Sequence, residues 1–270
     1  MNYELGILGA GNMAEAIVRG VLAAKRLTPQ QIIAADVSPE RRKFFQDELG
    51  VTAVEDNAEA AGQSETILLS VKPQMMQAAL SGIGKSLGPE SLVISIAAGI
   101  SCKFIESALG ETTARRVVRS MPNTPMLVGQ GMVAIAAGQH ATADDMATAR
   151  RLFESAADVI EVDETQIDAV TAISGSGPAY FFFLVEQMIA AGIQLGLSPE
   201  QSRKLAAKTA LGAATMLTTS PDSPAELRRK VTSPGGTTAA AITSMESHGL
   251  PQIIIEAIKA AEKRGKELGR

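Results

Sequence analysis

The sequence predicts a fold in two parts, an α/β domain with a doubly wound sheet followed by an all-α domain. Two observations carry this prediction. As far as about Val162, short apolar segments alternate with amphipathic ones, which is typical of a parallel sheet covered by helices on both faces. After Val162 the strand signals disappear and helical patterns follow one another. We therefore predict domains at residues 1–162 and 163–270.

The first part contains eight short segments rich in Val, Ile, Leu and Ala, and these predict strands. They are 3–8, 31–36, 51–54, 66–71, 92–98, 115–121, 131–137 and 158–162. The apolar segment 66–71 is typical of a central strand buried on both faces. Helical patterns between the strands predict helices at 12–24, 38–50 and 142–157.

The second part contains five predicted helices. They cover 178–196, 198–219, 222–231, 237–248 and about 250–267. The stretches LSPEQ and DSPAE are good helix starts, because Ser precedes a Pro in the first turn and an acid follows directly.

The turn GAGNMA follows the first predicted strand and opens the first predicted helix. Gly9 permits a tight turn, Gly11 lets the backbone approach a pyrophosphate, and Ala14 allows close packing of helix and strand. The helix N-terminus offers N–H groups and a partial positive charge to that anion. This context predicts a dinucleotide-binding domain of the Rossmann type.

Asp36, at the end of the second strand, bears on the choice between NAD and NADP. An acid there usually accepts a hydrogen bond from the adenosine ribose 2′-OH and favours NAD. Ser38, Arg41 and Arg42 follow closely, and a serine and arginines can hold a 2′-phosphate instead. The residues leave both cofactors open, and the two arginines fit a solvated helix face equally well.

Three later strands end in rigid or small residues, where ligands of open α/β sheets bind. Lys72 and Pro73 follow the fourth strand, the small residues of IAAG end the fifth, and MPNTP with Asn123 ends the sixth. Pro73 stiffens the chain, the small residues leave room for a ring, and Asn123 has an amide for polar groups of a cofactor. We expect these turns to share one cleft, although each is also compatible with an ordinary turn.

Two glycine-rich stretches lie in the second part, SGSGPAY at 174–180 and TSPGGTT at 232–238. Gly235 and Gly236 let the chain turn so that N–H groups converge at the start of the next helix, which suits a carboxylate. Thr237 and Thr238 add hydroxyls that donate and accept hydrogen bonds. The alternative interpretation of each stretch is a plain helix start.

The composition argues against several classes of function. A net charge of −4 without a basic block argues against nucleic acid, and the lone Cys102 excludes a disulfide framework or a cysteine metal cluster. With only His140 and His248, we expect no metal site. The start MNYELGILGAGNM has no basic region or cleavage site, and the apolar stretch 177–196 is interrupted by Glu and Gln. We expect a cytoplasmic protein that does not contact a membrane.

The motifs GAGNMA, VKPQ, MPNTP, SGSGPAY and VTSPGGTT occur in this order, and nearly the whole chain resembles the pyrroline-5-carboxylate reductases. The resemblance implies hydride transfer from NADPH or NADH to the C=N bond of Δ1-pyrroline-5-carboxylate, giving L-proline in the last step of proline biosynthesis. It also implies a Rossmann domain, a C-terminal helical dimerisation domain, a homodimer through those helices, an active site drawing on both subunits, and in many members a decamer.

The resemblance assigns site residues by position. Those implied for the cofactor are Gly9, Gly11, Asn12 and Met13 at the pyrophosphate, Ser38 and Asn57 near the adenosine ribose, and Val71, Lys72, Pro73, Ala97 and Ala98 near the nicotinamide. Those implied for the substrate are Ser176, Gly236, Thr237 and Thr238, to which the anion-site argument adds Gly235. Thr238 is the expected catalytic residue, bonding the ring nitrogen. Asp36 departs from the smaller neutral residue common in NADPH-preferring members.

Two other functions also fit parts of the sequence. A β-hydroxyacid dehydrogenase would share the arrangement of domains, but such enzymes usually carry a catalytic Lys on the first long helix of the second domain, and 178–197 contains none. A non-enzymatic NAD(P)-sensing protein would explain GAGNMA but not the hydroxyl-rich anion site.

Overall fold

The computed structural model describes residues 2–110 and 114–268. Residues 1, 111–113 and 269–270, which the predicted domain ranges include, lie outside the described residues. Eight strands form one sheet in the order β3-β2-β1-β4-β5-β6-β7-β8. Their bounds are β1 Tyr3–Leu8, β2 Ile32–Ala35, β3 Thr52–Val54, β4 Ser64–Leu69, β5 Leu92–Ser95, β6 Arg116–Met121, β7 Gly131–Ala137 and β8 Ala157–Glu161.

The first six strands are parallel and have the order 3-2-1-4-5-6, which is the order of a doubly wound dinucleotide-binding sheet. The fold class predicted from the sequence is thereby confirmed. The expectation of a parallel sheet is wrong at one place, because β7 runs antiparallel to β6. Only residues 122–130 join these two strands, and a parallel crossover needs a dozen residues or more. β8 is again parallel to β7.

Twelve α-helices occur among the described residues, and short 3₁₀ turns connect several elements. The helices are α1 Asn12–Ala23, α2 Pro39–Leu49, α3 Asn57–Gly62, α4 Met76–Ile83, α5 Cys102–Leu109, α6 Ala143–Phe153, α7 Ile167–Val170, α8 Gly177–Gln194, α9 Pro199–Thr219, α10 Pro224–Lys230, α11 Thr237–Ser247 and α12 Leu250–Leu268. The sequence did not predict α3, α4, α5 and α7. None of these four exceeds eight residues, and two turns are too few for a clear periodic pattern.

Apolar side chains cover both faces of the sheet, and this explains why the helices are distributed over both sides. Leu5 and Ile7 of β1 belong to one buried cluster, which includes Ile17 of α1. Leu8 belongs to the other cluster, with Leu80 of α4. Since side chains alternate between the faces of a strand, the apolar run of β1 requires helices on each side.

The described chain divides into two compact units. The first contains the residues up to Ser176 together with the end of α12 from Ala261 onward, and the second is Gly177–Ala260. All the regular structure of the second unit is helical, as predicted for the C-terminal part. Among the described helices, none combines the length and the apolar character that a membrane crossing requires.

Candidate active site

The β1–α1 turn is built around two glycines with different constraints. Gly9 has a φ of 95°, and a Cβ there would lie 2.8 Å from the carbonyl oxygen of Ser70. Gly11 caps α1 without a side-chain hydrogen bond, and no described atom lies within 4 Å of where its Cβ would be. The first N–H groups of α1, at Asn12 and Met13, therefore lie beside open space, and a helix start of this kind accepts a phosphate.

The backbone of Ala10, between these glycines, is held from both sides. Its N–H donates to Asp36 Oδ2 at 2.7 Å, and its carbonyl oxygen accepts from Arg41 Nε at 2.6 Å. The other oxygen of Asp36 accepts from the N–H of Ser38 at 2.8 Å. An acid directly after β2 and an arginine on α2 thus fix the shape of the glycine turn.

The guanidinium groups of Arg41 and Arg42 are both engaged within the protein. Arg41 Nη2 lies 3.0 Å from Glu15 Oε2, and its guanidinium stacks over Phe44 at 4.6 Å from the ring centre. Burial opposes the charge on Glu15, but hydrogen bonds from Arg41 and Arg19 outweigh it and lower the pKa of Glu15.

Arg42 donates to the carbonyl oxygens of Asp36 and Val37 at 2.8 and 3.0 Å, and it forms an ion pair with Glu55 at 3.1 Å. Neither arginine lies on the plain solvated face that the sequence left open. Sequence reasoning did not anticipate these contacts, because they depend on how β1, β2 and α2 pack together.

The residues predicted for the adenosine end follow two neighbouring strands. Ser38 caps α2 and accepts from the N–H of Arg41 at 3.3 Å. Asn57 is half-buried at the start of α3, directly after β3. The N–H of Asp36 donates to the carbonyl oxygen of Val54 at 3.1 Å, so the ends of β2 and β3 lie side by side and bring Ser38 and Asn57 to one edge of the sheet.

The residues predicted for the nicotinamide end also share this edge. The carboxyl ends of β1, β4 and β5 are in register, with Leu8 opposite Leu69 and Leu69 opposite Ser95. The segments that follow hold the predicted residues: half-buried Val71 and Pro73, exposed Lys72, buried Ala97 and half-buried Ala98. Among the described residues Lys72 has no ion pair.

Asn123 lies after β6 and is almost fully buried, with 8% of its surface exposed. Its Nδ2 donates to the carbonyl oxygen of Ser174 at 3.1 Å, and its Oδ1 accepts from the N–H of Met132 at 2.9 Å. Both ends of this amide are therefore already bonded to backbone.

A cluster of ion pairs forms around Arg119, which lies on β6 and is buried. Arg119 of β6, with 5% exposure, pairs with Asp168 at 3.2 Å and Glu164 at 3.5 Å. Glu164 also accepts from the N–H of Cys102 at 2.6 Å. Burial, with the nearby Glu164 charge, raises the pKa of the Cys102 thiol. Cys102 is thus a protonated, buried thiol, unsuited to act as a nucleophile.

Ser176 ends an unusual helical turn. Residues Thr171–Gly175 are π-helical, and the N–H of Ser176 donates to the carbonyl oxygen of Thr171 at 2.8 Å. The sequence predicted a polar lead-in here but not the π-helix. Such wide turns are rare in proteins, and many of those that occur lie at functional sites.

The stretch TSPGGTT forms the tight turn that opens α11. Gly235 has a φ of 69°, a conformation that favours glycine, and Gly236 caps α11 without a side-chain hydrogen bond. Gly236 and Thr238 are half-buried and Thr237 is exposed. Within the described residues, the hydroxyl of Thr238 has no hydrogen-bond partner. Uncapped N–H groups and a free hydroxyl thus occur together in one turn.

Among the described residues, no three His, Cys, Asp or Glu side chains are grouped in a way that could hold a metal ion. The strand order, the open glycine turn and the aligned strand ends define the class of protein. The chain is a dinucleotide-binding α/β protein with a helical second unit.

Comparisons with known proteins give the family. The family model described as pyrroline-5-carboxylate reductase dimerisation matches residues 164–268, and one described as NADP oxidoreductase, coenzyme F420-dependent, matches residues 4–99. A pyrroline-5-carboxylate reductase of Pseudomonas aeruginosa is 45% identical, over 98% of this chain and 96% of that protein.

Two solved structures extend the likeness to the whole fold. That of a pyrroline-5-carboxylate reductase from Coxiella burnetii has a TM-score of 0.90 at 37% identity and covers all of both chains. The Plasmodium falciparum enzyme, solved with NADP bound, has a TM-score of 0.89 at 30% identity and covers 100% of this chain and 99% of that one. The chain belongs to the pyrroline-5-carboxylate reductase family.

Proposed function

We propose that this protein reduces the C=N bond of Δ1-pyrroline-5-carboxylate with NADPH or NADH and releases L-proline, the last step of proline biosynthesis. The observation that carries the proposal is the family relationship over the full chain. The geometry of the glycine turn and of TSPGGTT agrees with it, since each turn opens a helix without a side-chain cap, which suits a pyrophosphate or a small carboxylate. Neither the hydroxyacid dehydrogenase nor the sensor alternative gains support.

The first unit fits the cofactor. Beside Gly11, the space that a Cβ would occupy contains no described atom, so a pyrophosphate can approach the N–H groups of Asn12 and Met13. We propose that Ser38, Asn57 and Asp36 border the adenosine ribose. For the nicotinamide end we propose contacts with Val71, Lys72, Pro73, Ala97 and Ala98.

The turn before α11 fits the other substrate. The N–H groups from Gly236 to Thr238 lie at a helix start without a side-chain cap, which favours a carboxylate. Gly235 sets the direction of the turn, and Thr237 adds a second hydroxyl. Ser176, at the end of the π-helical turn, is proposed as a further contact to the imino acid.

Thr238 has the chemical role in this proposal. A C=N bond accepts hydride readily once its nitrogen is protonated, and we propose that the Thr238 hydroxyl bonds that nitrogen and assists its protonation. When bound, the reduced nicotinamide supplies the hydride that C5 of the imine receives. The remaining task of the protein is to orient the two reactants, which alone contributes several kcal/mol.

An oxidation assay distinguishes this function from its alternatives. The purified protein is given NADPH or NADH, with Δ1-pyrroline-5-carboxylate or with a 2-oxo acid of the hydroxyacid dehydrogenase type. We expect oxidation only with the cyclic imine. Turnover of the oxo acid would support a dehydrogenase, and cofactor binding without any turnover would support a sensor.

We further propose a homodimer through the C-terminal helices, assembly of dimers into a decamer, and a cytoplasmic location. The match of residues 164–268 to a dimerisation family model supports the dimer. We propose 1–162 as the NAD(P)-binding domain and 163–270 as the dimerisation and substrate domain. The charge of −4 without a basic block supports the expectation that nucleic acid is not a partner.

A further inference from the structure

We propose that Asn123 is a positioning residue for the substrate side of the reaction. Its amide fixes the π-helical turn Thr171–Gly175 and thereby places Ser176. We propose this role for Asn123 instead of the cofactor contact that the sequence predicted. The inference rests on the proposed function only in taking Ser176 as a substrate contact. The contacts that fix the turn belong to the described fold itself.

The orientation of the Asn123 amide is determined by its two partners. The N–H of Met132 requires an acceptor, so Oδ1 faces it at 2.9 Å, and the carbonyl oxygen of Ser174 requires a donor, so Nδ2 faces it at 3.1 Å. If the amide were flipped, its NH₂ group would face the N–H of Met132 and its oxygen would face the carbonyl oxygen of Ser174, and neither pair could form a hydrogen bond. A buried amide committed in this way has little left for a cofactor beyond one N–H.

The carbonyl of Ser174 needs this outside donor for a reason that is visible in the sequence. In an α-helix it would accept from the N–H four residues later, but that residue is Pro178, which has no N–H. A backbone carbonyl left unpaired in a half-buried segment is costly. Asn123 supplies the missing donor from another element, and the turn can keep its π-helical form.

Alternate residues of β6 and the extended chain after it all face this segment. Arg119 pairs with Asp168, and a Cβ on Gly175 would lie 2.5 Å from Met121 Cε. Asn123 then bonds Ser174. Residues two apart in an extended chain share one face, so β6 and the chain directly after it contact the stretch from Asp168 to Gly175 at three points. Asn123 is the last of these and the one nearest in sequence to Ser176.

The test compares two isosteric amide-to-acid changes. Asn123→Asp keeps the acceptor for Met132 but places a carboxylate oxygen against the carbonyl of Ser174. Gln130→Glu makes the same chemical change at an exposed position of the same loop and is the control. We expect Asn123→Asp to raise KM for pyrroline-5-carboxylate about tenfold, with the Kd for NADPH unchanged within about twofold. Gln130→Glu should leave both constants unchanged.

The pH dependence separates positioning from general damage. Once protonated, the acid of Asn123→Asp can donate to Ser174 again, so the KM ratio of variant to wild type should fall as the pH is lowered from about 8 to about 6, helped by the raised pKa of a buried acid. A ratio that stays constant with pH, or a loss of NADPH affinity with KM unchanged, would overturn the proposal.

Hydrogen exchange tests the proposal without any assay of activity. Peptides covering 167–176 should exchange faster in Asn123→Asp than in Gln130→Glu, while peptides of β1 should not change. Equal exchange in the two variants would overturn the proposal even if the wild type proved inactive toward pyrroline-5-carboxylate, an outcome that refutes the proposed function alone. If Asn123→Asp does not fold, Asn123→Ala is expected to show the same faster exchange.

Discussion

Arg41 holds the glycine turn with the same guanidinium that a 2′-phosphate of NADP would need. Its Nε bonds the carbonyl oxygen of Ala10 and its Nη2 pairs with Glu15. In the proposed function this turn binds the pyrophosphate, which NADPH and NADH have in common. The arginine therefore serves both cofactors in this account and does not select between them.

Arg41→Met should weaken the binding of NADPH and of NADH by similar factors, roughly tenfold. The reason is that the charged hydrogen bond that shapes the turn is lost whichever cofactor binds. Fluorescence titration with each reduced cofactor measures this. Lys43→Met is the matched control, since that side chain is 79% exposed and its one ion pair within the described part of the chain is with Asp47. A loss confined to NADPH would mean that Arg41 binds the 2′-phosphate.

Thr238→Ala should lower kcat/KM for pyrroline-5-carboxylate roughly tenfold to hundredfold, because the imine nitrogen loses its hydrogen-bond partner. The Kd for NADPH should stay nearly the same. Thr243→Ala, at an exposed position on the same helix, controls for the general effect of removing a hydroxyl. Unchanged turnover in Thr238→Ala would remove this residue from the chemistry.

The two glycines of the β1–α1 turn should respond differently to alanine, one in the stability of the fold and the other in cofactor binding. Gly9→Ala should destabilise the fold by about 1–3 kcal/mol, because the left-handed φ and the contact with Ser70 both oppose a side chain. Gly11→Ala places its methyl group in open space, so the Tm without cofactor should change little. The added methyl group should nevertheless reduce the rise in Tm that NADPH produces in the wild type.

Thermal unfolding of both variants, with and without NADPH, measures the difference. A Gly11→Ala protein that NADPH stabilises as fully as the wild type would show that the pyrophosphate does not lie at this turn. A Gly9→Ala protein as stable as the wild type would contradict the packing of the turn against β4.

At the same scale, local signals in the sequence account for part of the fold. GAGNMA predicted the turn because the strand, glycines and helix are contiguous, and the order of the first six strands follows from the fold class. The antiparallel β7 could have been inferred, since residues 122–130 are too few for a crossover. The π-helical turn could not, because the bond from Asn123 to Ser174 joins residues far apart in sequence.

The candidate site divides in the same way. Gly9 and Gly235 were recognisable because their positive φ values, 95° and 69°, belong to a conformation for which a sequence usually provides glycine. The functions of Arg41 and Asn123 depend on tertiary contacts. For Arg41 the sequence allowed a 2′-phosphate contact or a solvated helix face, and for Asn123 it allowed a cofactor contact or an ordinary turn.

The whole molecule has apolar surface that one chain does not cover. Phe181, Phe182 and Phe183 are 61%, 64% and 65% exposed. Successive helical residues point about 100° apart, so these three leave most of the circumference of α8 uncovered. Ile253, Ile254 and Ile255 of α12 are likewise exposed, at 56%, 49% and 47%. Such surface is typical of an obligate interface.

Phe182→Asp should therefore reduce the molar mass in light scattering to that of a single chain, or leave the protein poorly folded. Lys208→Asp, a change on a side chain that is already polar and exposed on α9, should not alter the mass. A Phe182→Asp protein with the wild-type mass would place the dimer interface elsewhere.

Isotope transfer can follow the hydride itself from the cofactor to the imine. NADPH carrying deuterium at C4, prepared with the label on either face, is incubated with the protein and Δ1-pyrroline-5-carboxylate. With one of the two labelled cofactors, we expect L-proline with a single deuterium at C5. Proline without deuterium from either cofactor, or no proline at all, would contradict it.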